Sequence, residues 1–254
     1  MTQLFDLTGK VAVITGSSRG IGRAIAEAMA DHGARVVISS RKQDACEAVA
    51  AAINAKHPGA ATAIAASISS KAALEDLVAQ TQAKVGPIDV VVCNAASNPY
   101  YGPMTGISDD QFRKILDNNV LSNHWLIQLC LPGMIERKDG AIVVISSIGG
   151  LRGTATLGAY AISKAADLAL VRNLAVEVGH HNSRANAIAP GLIRTDFAKT
   201  LWDNPEATHR FNTEHPMRRI GEPVEIAGAA VFLASRAGSY VNGQTIVVDG
   251  GSTI

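Results

Sequence analysis

The sequence predicts an α/β protein: a doubly wound parallel sheet of seven strands in the order 3-2-1-4-5-6-7, helices on both faces, residues 1–254 forming a single domain. Three observations predict it. Short β-branched runs alternate with longer Ala- and Leu-rich runs of helical period. Hydrophobic residues make up 47% of the chain and aromatic ones only 4%, so the core must be mostly Ala, Val, Ile and Leu, as in a buried parallel sheet. Finally, 254 residues is near the upper size for one hydrophobic core.

The expected strands are Lys10–Thr15, Arg35–Ser39, Ala63–Ser67, Ile88–Asn94, Ala141–Ser147, Arg184–Ala189 and Thr245–Val248. Between them lie expected helices at Gly20–His32, Lys42–Lys56, Lys71–Val85, Ser108–Arg137, Ala159–Gly179 and Pro223–Ser235. One segment breaks the alternation. From Pro190 to Pro223 the chain carries Phe197, Leu201, Trp202, Phe211 and Met217 with no clear strand. A long excursion after a strand's carboxyl end is the usual form of a functional lid, expected at about 192–217. Its bland alternative is a surface excursion packed on the core.

Several function classes fall away on composition. The net charge is +1 and no long Lys/Arg run occurs, which argues against nucleic acid as the main partner. No apolar stretch is long enough to span a bilayer, so no membrane partner is expected. The three cysteines are widely spaced without a CxxC and read as buried thiols of a reducing compartment. The N-terminus lacks a basic flank and apolar core, and the C-terminus is no SKL-type address, so a cytoplasmic location is expected. His209 and His215 lack HExxH spacing, so no metal site is expected.

Two motifs carry the chemistry. The first is Thr15-Gly16-Ser17-Ser18-Arg19-Gly20-Ile21-Gly22, between an expected strand and an expected helix. A dinucleotide needs a tight turn, a close backbone approach and a helix N-terminus aimed at its pyrophosphate; Gly16, Gly20 and Gly22 can supply these, although a plain turn would also be glycine-rich. At the end of the second strand an Asp or Glu would select NAD. The chain instead reads Ser39-Ser40-Arg41-Lys42, with Arg19 nearby. Charge-assisted hydrogen bonds to a 2′-phosphate favour NADP(H), with NAD the alternative. Arg41 and Lys42 could also be solvated first-turn residues, in a position unfavourable for cations.

The second motif is Tyr160-Ala-Ile-Ser-Lys164, preceded by Ser147 at an expected strand end. Four residues apart on a helix, Tyr160 and Lys164 share a face. Bringing a phenol from a pKa of ~10 to ~7 takes roughly 4 kcal/mol. A Lys⁺ about 4 Å away supplies about that at an effective dielectric of ~20. Ser147 could hold a substrate oxygen beside the phenol. Each residue alone has a structural explanation; the combination points to proton transfer onto a developing alkoxide.

On these motifs the chain resembles the short-chain dehydrogenase/reductase family from about Gly9 to Gly251, with a Rossmann-like fold. The resemblance implies a cofactor loop of Gly16, Ser18, Arg19, Gly20, Ile21 and Gly22, with Asn94-Ala95 after strand four. It implies that Asn119 ties a water to the catalytic lysine, and that Ser147, Tyr160 and Lys164 are substrate anchor, general acid/base and ribose-binding lysine. Pro190, Gly191, Ile193 and Thr195 would grip the nicotinamide carboxamide. The chain departs from the family pattern at Ala96, usually Gly, and at Ser67, often Asp. The segments Asn94–Gly102, Val37–Gln43 and Ala189–Thr195 resemble a subgroup of NADPH-dependent carbonyl and retinal reductases.

The expected reaction is NADPH-dependent reduction of a ketone or aldehyde to an alcohol, with Tyr160 as general acid. Alternatives are an NAD-linked alcohol dehydrogenase, a 3-oxoacyl-thioester reductase, and a non-catalytic nucleotide-binding protein on the same scaffold. Tyr100, Tyr101, Leu151, Leu157 and Trp202 are candidates for an apolar substrate pocket, Ile193 too, though each could equally pack the fold. By resemblance, the two longest helices would pair between copies in a homotetramer.

Overall fold

A computed structural model of the chain describes residues 4–203 and 205–254, apart from the side chains of 207 and 210. Its strands are β1 (Val11–Thr15), β2 (Arg35–Ser39), β3 (Ala61–Ala63), β4 (Val90–Cys93), β5 (Gly140–Ile145), β6 (Ser183–Pro190) and β7 (Thr245–Val248). All pair in parallel in the expected order, β3-β2-β1-β4-β5-β6-β7. The helices are α1 (Gly20–Asp31), α2 (Gln43–Lys56), α3 (Lys71–Lys84), α4 (Asp109–Leu116), α5 (Ser122–Arg137), α6 (Gly158–Val178), α7 (Lys199–Trp202), α8 (Pro205–Glu214) and α9 (Pro223–Ala234).

Successive side chains leave opposite faces of a strand, and here both faces are buried. Ala12, Ile14, Val36, Ile38, Val90 and Val92 face one core, shared with α1, α2 and α9. Val11, Val13, Val37, Val91, Ile142 and Val144 face the other, with α3, α5 and α6. This double burial explains why the strands read as unbroken Val/Ile runs. The order reverses between β1 and β4, and that switch opens a cleft at the strands' carboxyl ends.

Three expected strands are corrected. The third strand pairs at Ala61–Ala63, not Ala63–Ser67; past it Ile64 N and Ala66 N still bond Ile38 O and Ser40 O, while the Gln43 side chain accepts from Ala65 N at 2.8 Å and donates to Ala63 O on the outer edge. The fourth is trimmed at both ends, to Val90–Cys93. The fifth stops at Ile145; Ser146 N still bonds Ile188 O, and Ser146 Oγ donates to Lys164 O at 2.8 Å. Ser147 then caps a 3₁₀ turn, Ile148–Gly150, through Gly149 N.

The expected single helix Ser108–Arg137 is interrupted. A Ser108/Gln111 capping box starts α4, and a π-helical turn at Asp117–Leu121 separates it from α5. The expected lid contains a 3₁₀ turn at Asp196–Ala198, then α7 and α8.

Candidate active site

The glycine loop leaves β1 through Gly16 and Gly20, both left-handed (φ +66° and +58°). A Cβ at Gly16 would lie 2.9 Å from Asn94 Nδ2, and one at Gly22 would lie 2.5 Å from that atom and 2.6 Å from Gly16 O. Gly20 lies against Thr195, whose Cγ2 would be 3.3 Å from a Cβ there. Three strand ends therefore converge: β1 through Gly16, β4 through Asn94, and the turn after β6 through Thr195. Asn94 Nδ2 donates to Thr15 O at 2.9 Å and Gly16 O at 3.2 Å, while Thr15 Oγ1 accepts from Asn94 N and Ala95 N.

The loop fits a phosphate. Arg19 gives α1 no side-chain cap and the first turn holds no acid, so its free N–H groups and the helix dipole favour an anion. Ser18 and Ile21 are half-buried, and Ile21 packs on the core. Exposed Arg19 reaches Asp196 at 3.3 Å, linking the loop to the lid segment. Sequence reasoning missed Ser17, which is fully buried. Its hydroxyl donates to Ile14 O and accepts from Ser39 N, tying the loop to the end of β2.

Past β2, Ser40 Oγ lies 3.2 Å from Cys46 Sγ, while Arg41 and Lys42 are exposed at the start of α2. Neither makes an ion pair among the described residues. Pro190 ends β6, Gly191 N bonds Val248 O at 3.0 Å, and a Cβ on Gly191 would meet Asp249 Cα at 2.8 Å. Ile193 is buried and bridges to Gly221; Thr195 caps the following 3₁₀ turn.

Ser147, Tyr160 and Lys164 come together. Lys164 is almost wholly buried, its Nζ 5.7 Å from the centre of the Tyr160 ring. That Nζ donates to Ile145 O at 2.8 Å and to Asp167 Oδ2 at 3.0 Å. Asp167 is fully buried, and its other oxygen accepts from Asn123 Nδ2 at 3.0 Å. Asp167 was not singled out in the sequence, although its i,i+3 position after Lys164 on a helix was a usable signal.

Burial, with this partner as a smaller contribution, corrects the electrostatic expectation. The Tyr160 phenol sits above its ordinary pKa, not below it. Burial pushes it up most; Lys164 and a hydrogen bond with Ser147 pull it down, and the Asp167 charge opposes them. The earlier arithmetic treated the ammonium as unpaired, whereas its field is shared with a carboxylate. For Lys164, burial acts to lower its pKa, but Asp167, with Tyr160 beside it, holds it above the ordinary value.

Asn119 is fully buried in the π turn, a geometry that re-aims side chains at functional sites. Its amide accepts from Ser97 N at 2.8 Å and donates to Ser97 O at 3.0 Å, pinning the loop after β4, and also donates to Ser163 Oγ. Its backbone carbonyl accepts from Asn123 Nδ2 at 2.7 Å. Asn119, Asn123, Asp167 and Lys164 thus form one buried chain of contacts.

The expected pocket residues are dispersed. Tyr100 is half-buried with its hydroxyl on Pro103 O, and Tyr101 and Leu151 are exposed. Leu157 precedes α6 at its N-cap. Trp202 donates to Thr195 O at 2.9 Å, with the Arg194 guanidinium 5.4 Å over its ring. Phe197, from the lid segment, is the aromatic residue that reaches Tyr160, ring centres 6.1 Å apart. Among the described residues no group of His, Cys, Asp and Glu could hold a metal ion, and no helix is long and apolar enough to cross a membrane.

Known proteins share this fold. The family model described as "Enoyl-(Acyl carrier protein) reductase" matches residues 16–253. Dehydrogenase/reductase SDR family member 4 of Bos taurus is 39% identical over 99% of this chain and 90% of its own. The crystal structure of 3-oxoacyl (acyl-carrier-protein) reductase from Agrobacterium tumefaciens C58 with NADP bound is 37% identical (TM-score 0.91), covering 98% of this chain and 96% of its own. A 7α-hydroxysteroid dehydrogenase complexed with NADH and 7-oxo glycochenodeoxycholic acid is 38% identical (TM-score 0.93), covering 99% of this chain and 98% of its own. With the matched fold and full-length identity together, the chain belongs to the short-chain dehydrogenase/reductase family of oxidoreductases.

Proposed function

We propose that the protein reduces a ketone or aldehyde carbonyl to an alcohol with NADPH, Tyr160 acting as the general acid. The observation that carries this reading is the placement of the Tyr160 phenol between Ser147 and Lys164, in a setting that keeps it protonated. A bound NADPH supplies the hydride. Tyr160 gives its proton to the carbonyl oxygen as the alkoxide develops, and Ser147 Oγ holds that oxygen. Lys164 pulls the phenol's pKa down by its charge, easing the proton's departure, and binds the nicotinamide ribose. Asn119 fixes the loop after β4 beside this site and completes the set.

Gly16, Ser18, Arg19, Gly20, Ile21 and Gly22 cradle the pyrophosphate, with Asn94 and Ala95 as the floor. Pro190, Gly191, Ile193 and Thr195 hold the carboxamide, and Ser40, Arg41 and Lys42 the 2′-phosphate. The preference for NADP over NAD rests on the unpaired cations at Arg41 and Lys42 and on the absence of an acid at the end of β2. The neighbour with NADP is consistent with it, whereas the neighbour with NADH keeps an NAD-linked alcohol dehydrogenase as second reading.

Residues 192–217 act as the lid of the single domain, bringing Phe197 to the phenol; Tyr100, Tyr101, Leu151, Leu157 and Trp202 line the substrate approach as it closes. The exposed apolar residues Leu121, Ile162 and Val176 support a homotetramer built on α5 and α6. A cytoplasmic enzyme acting on a small carbonyl or alcohol completes the proposal. A ketone and aldehyde panel, with a 3-oxoacyl thioester alongside, tests it by NADPH and NADH absorbance. The reading expects turnover of simple carbonyls with NADPH favoured. Turnover confined to the thioester, or to NADH and an alcohol, would replace it.

A further inference from the structure

The carboxylate beside Lys164 is unused by the mechanism above, and it is among the costliest groups in the fold to bury. Asp167 and Lys164 are 0% and 2% exposed at the side chain, with 3.0 Å between Oδ2 and Nζ. Desolvated charges persist only when paired and hydrogen-bonded. Both conditions are met. Oδ2 meets the ammonium, Oδ1 meets Asn123 of α5, and the ammonium's second bond goes to Ile145 O of β5. Asn123 also holds the carbonyl of Asn119, so the carboxylate is cross-linked to the π turn. The titratable groups facing this pair are Tyr160 on α6 and the Cys93 thiol at the end of β4, which burial keeps neutral.

We propose that Asp167 is a positioning residue for proton transfer, its carboxylate fixing the Lys164 ammonium and offsetting part of its charge, so that the site favours a protonated Tyr160. The argument is one of net charge. With Asp167 ionised, Lys164 and Asp167 sum to zero, and ionising Tyr160 leaves an uncompensated negative charge in a desolvated site. Without the carboxylate, the same ionisation takes the site from one positive charge to neutral, a far easier step. Proton abstraction from an alcohol needs the ionised phenol, so this bias bears on the oxidative direction. The inference therefore rests on the proposed role of Tyr160 and adds a direction to it. Asp167 delays to higher pH the basic form needed for alcohol oxidation.

The test reads the phenol itself. Only four tyrosines are present, and the near-ultraviolet tyrosinate absorbance of each protein minus that of its Tyr160→Phe counterpart isolates Tyr160. In Asp167→Asn the phenol should titrate lower than in the wild type by roughly one pH unit or more, and Asp167→Glu should restore the wild-type curve. Coincident titrations of Asp167→Asn and wild type would overturn the inference.

A second measurement covers the case in which Asp167→Asn does not fold. Lys164→Met and Asp167→Leu each strand a buried charge, so each alone should melt well below the double variant Lys164→Met/Asp167→Leu. A double variant no more stable than the weaker single variant would sink the pairing. Failure of the broader reading looks different: Tyr160→Phe would keep its turnover while the titration difference stood.

Discussion

Replacing Gly22 by Ala adds one methyl where three strand ends meet, and the structure fixes what that methyl encounters. Gly22 needs no left-handed backbone, so the cost is overlap alone. The new Cβ would sit 2.5 Å from Asn94 Nδ2 and 2.6 Å from Gly16 O, both held by hydrogen bonds and one of them backbone. Overpacking of this kind costs about 1–3 kcal/mol. Displacing Asn94 from Thr15 O and Gly16 O adds about 1 kcal/mol for each bond lost. The expected destabilisation is therefore about 3–5 kcal/mol, or about 2–4 kcal/mol after a helix-propensity gain of up to about 1 kcal/mol. Gly228 in α9 supplies the control: a Cβ there meets nothing within 4 Å. Gly228→Ala should gain stability where Gly22→Ala loses it. Urea unfolding gives the first readout and NADPH affinity by fluorescence titration the second, with a loss of tenfold or more expected only for Gly22→Ala. If both variants were equally stable and bound NADPH alike, the convergence of loop and Asn94 would not be what shapes the cofactor site.

Arg41→Ala combined with Lys42→Ala should weaken NADPH binding by on the order of tenfold while leaving NADH unchanged. Both residues are exposed and make no ion pair among the described residues, so the melting temperature should hold; equal losses for the two cofactors would refute the phosphate assignment. Glu225 gives a pH prediction. Two hydrogen bonds from Arg219, with one from Glu222 N, lower its carboxyl from 4.5 to about 2. Because the folded pKa is depressed, its stabilisation is complete above the unfolded value and fades as pH falls from 4.5 toward 2. The stability difference between wild type and Glu225→Gln should close over that window, and a constant gap down to pH 2 would contradict it.

The legible parts of this protein were those encoded locally. Parallel strands buried on both faces read as Val/Ile runs, and helices packing on them read as Ala/Leu periods; from these the sheet order followed. Gly16, Gly20 and Gly22 were visible because close backbone approach excludes a side chain, and Tyr160 with Lys164 because helix geometry fixes their common face. What escaped depends on side chains distant in sequence. Gln43 holds the outer edge of the chain past β3, and Asn119, from the π turn, reaches back to Ser97. The Asn123–Asp167 bond spans 44 positions. Asp167 itself was within reach, three residues from Lys164, whereas the burial that does most to raise the Tyr160 phenol depends on the packing of the whole fold.

The most direct trial of the acid role is single-turnover reduction of a carbonyl substrate by Tyr160→Phe, with NADPH affinity measured on the same sample. The ring and its contact with Phe197 survive the change, and only the hydroxyl is lost. Removal of a general acid should slow the chemical step by about 10²–10⁴-fold with NADPH affinity within a factor of about two of the wild type. A variant that reduces the carbonyl at the native rate would contradict the account.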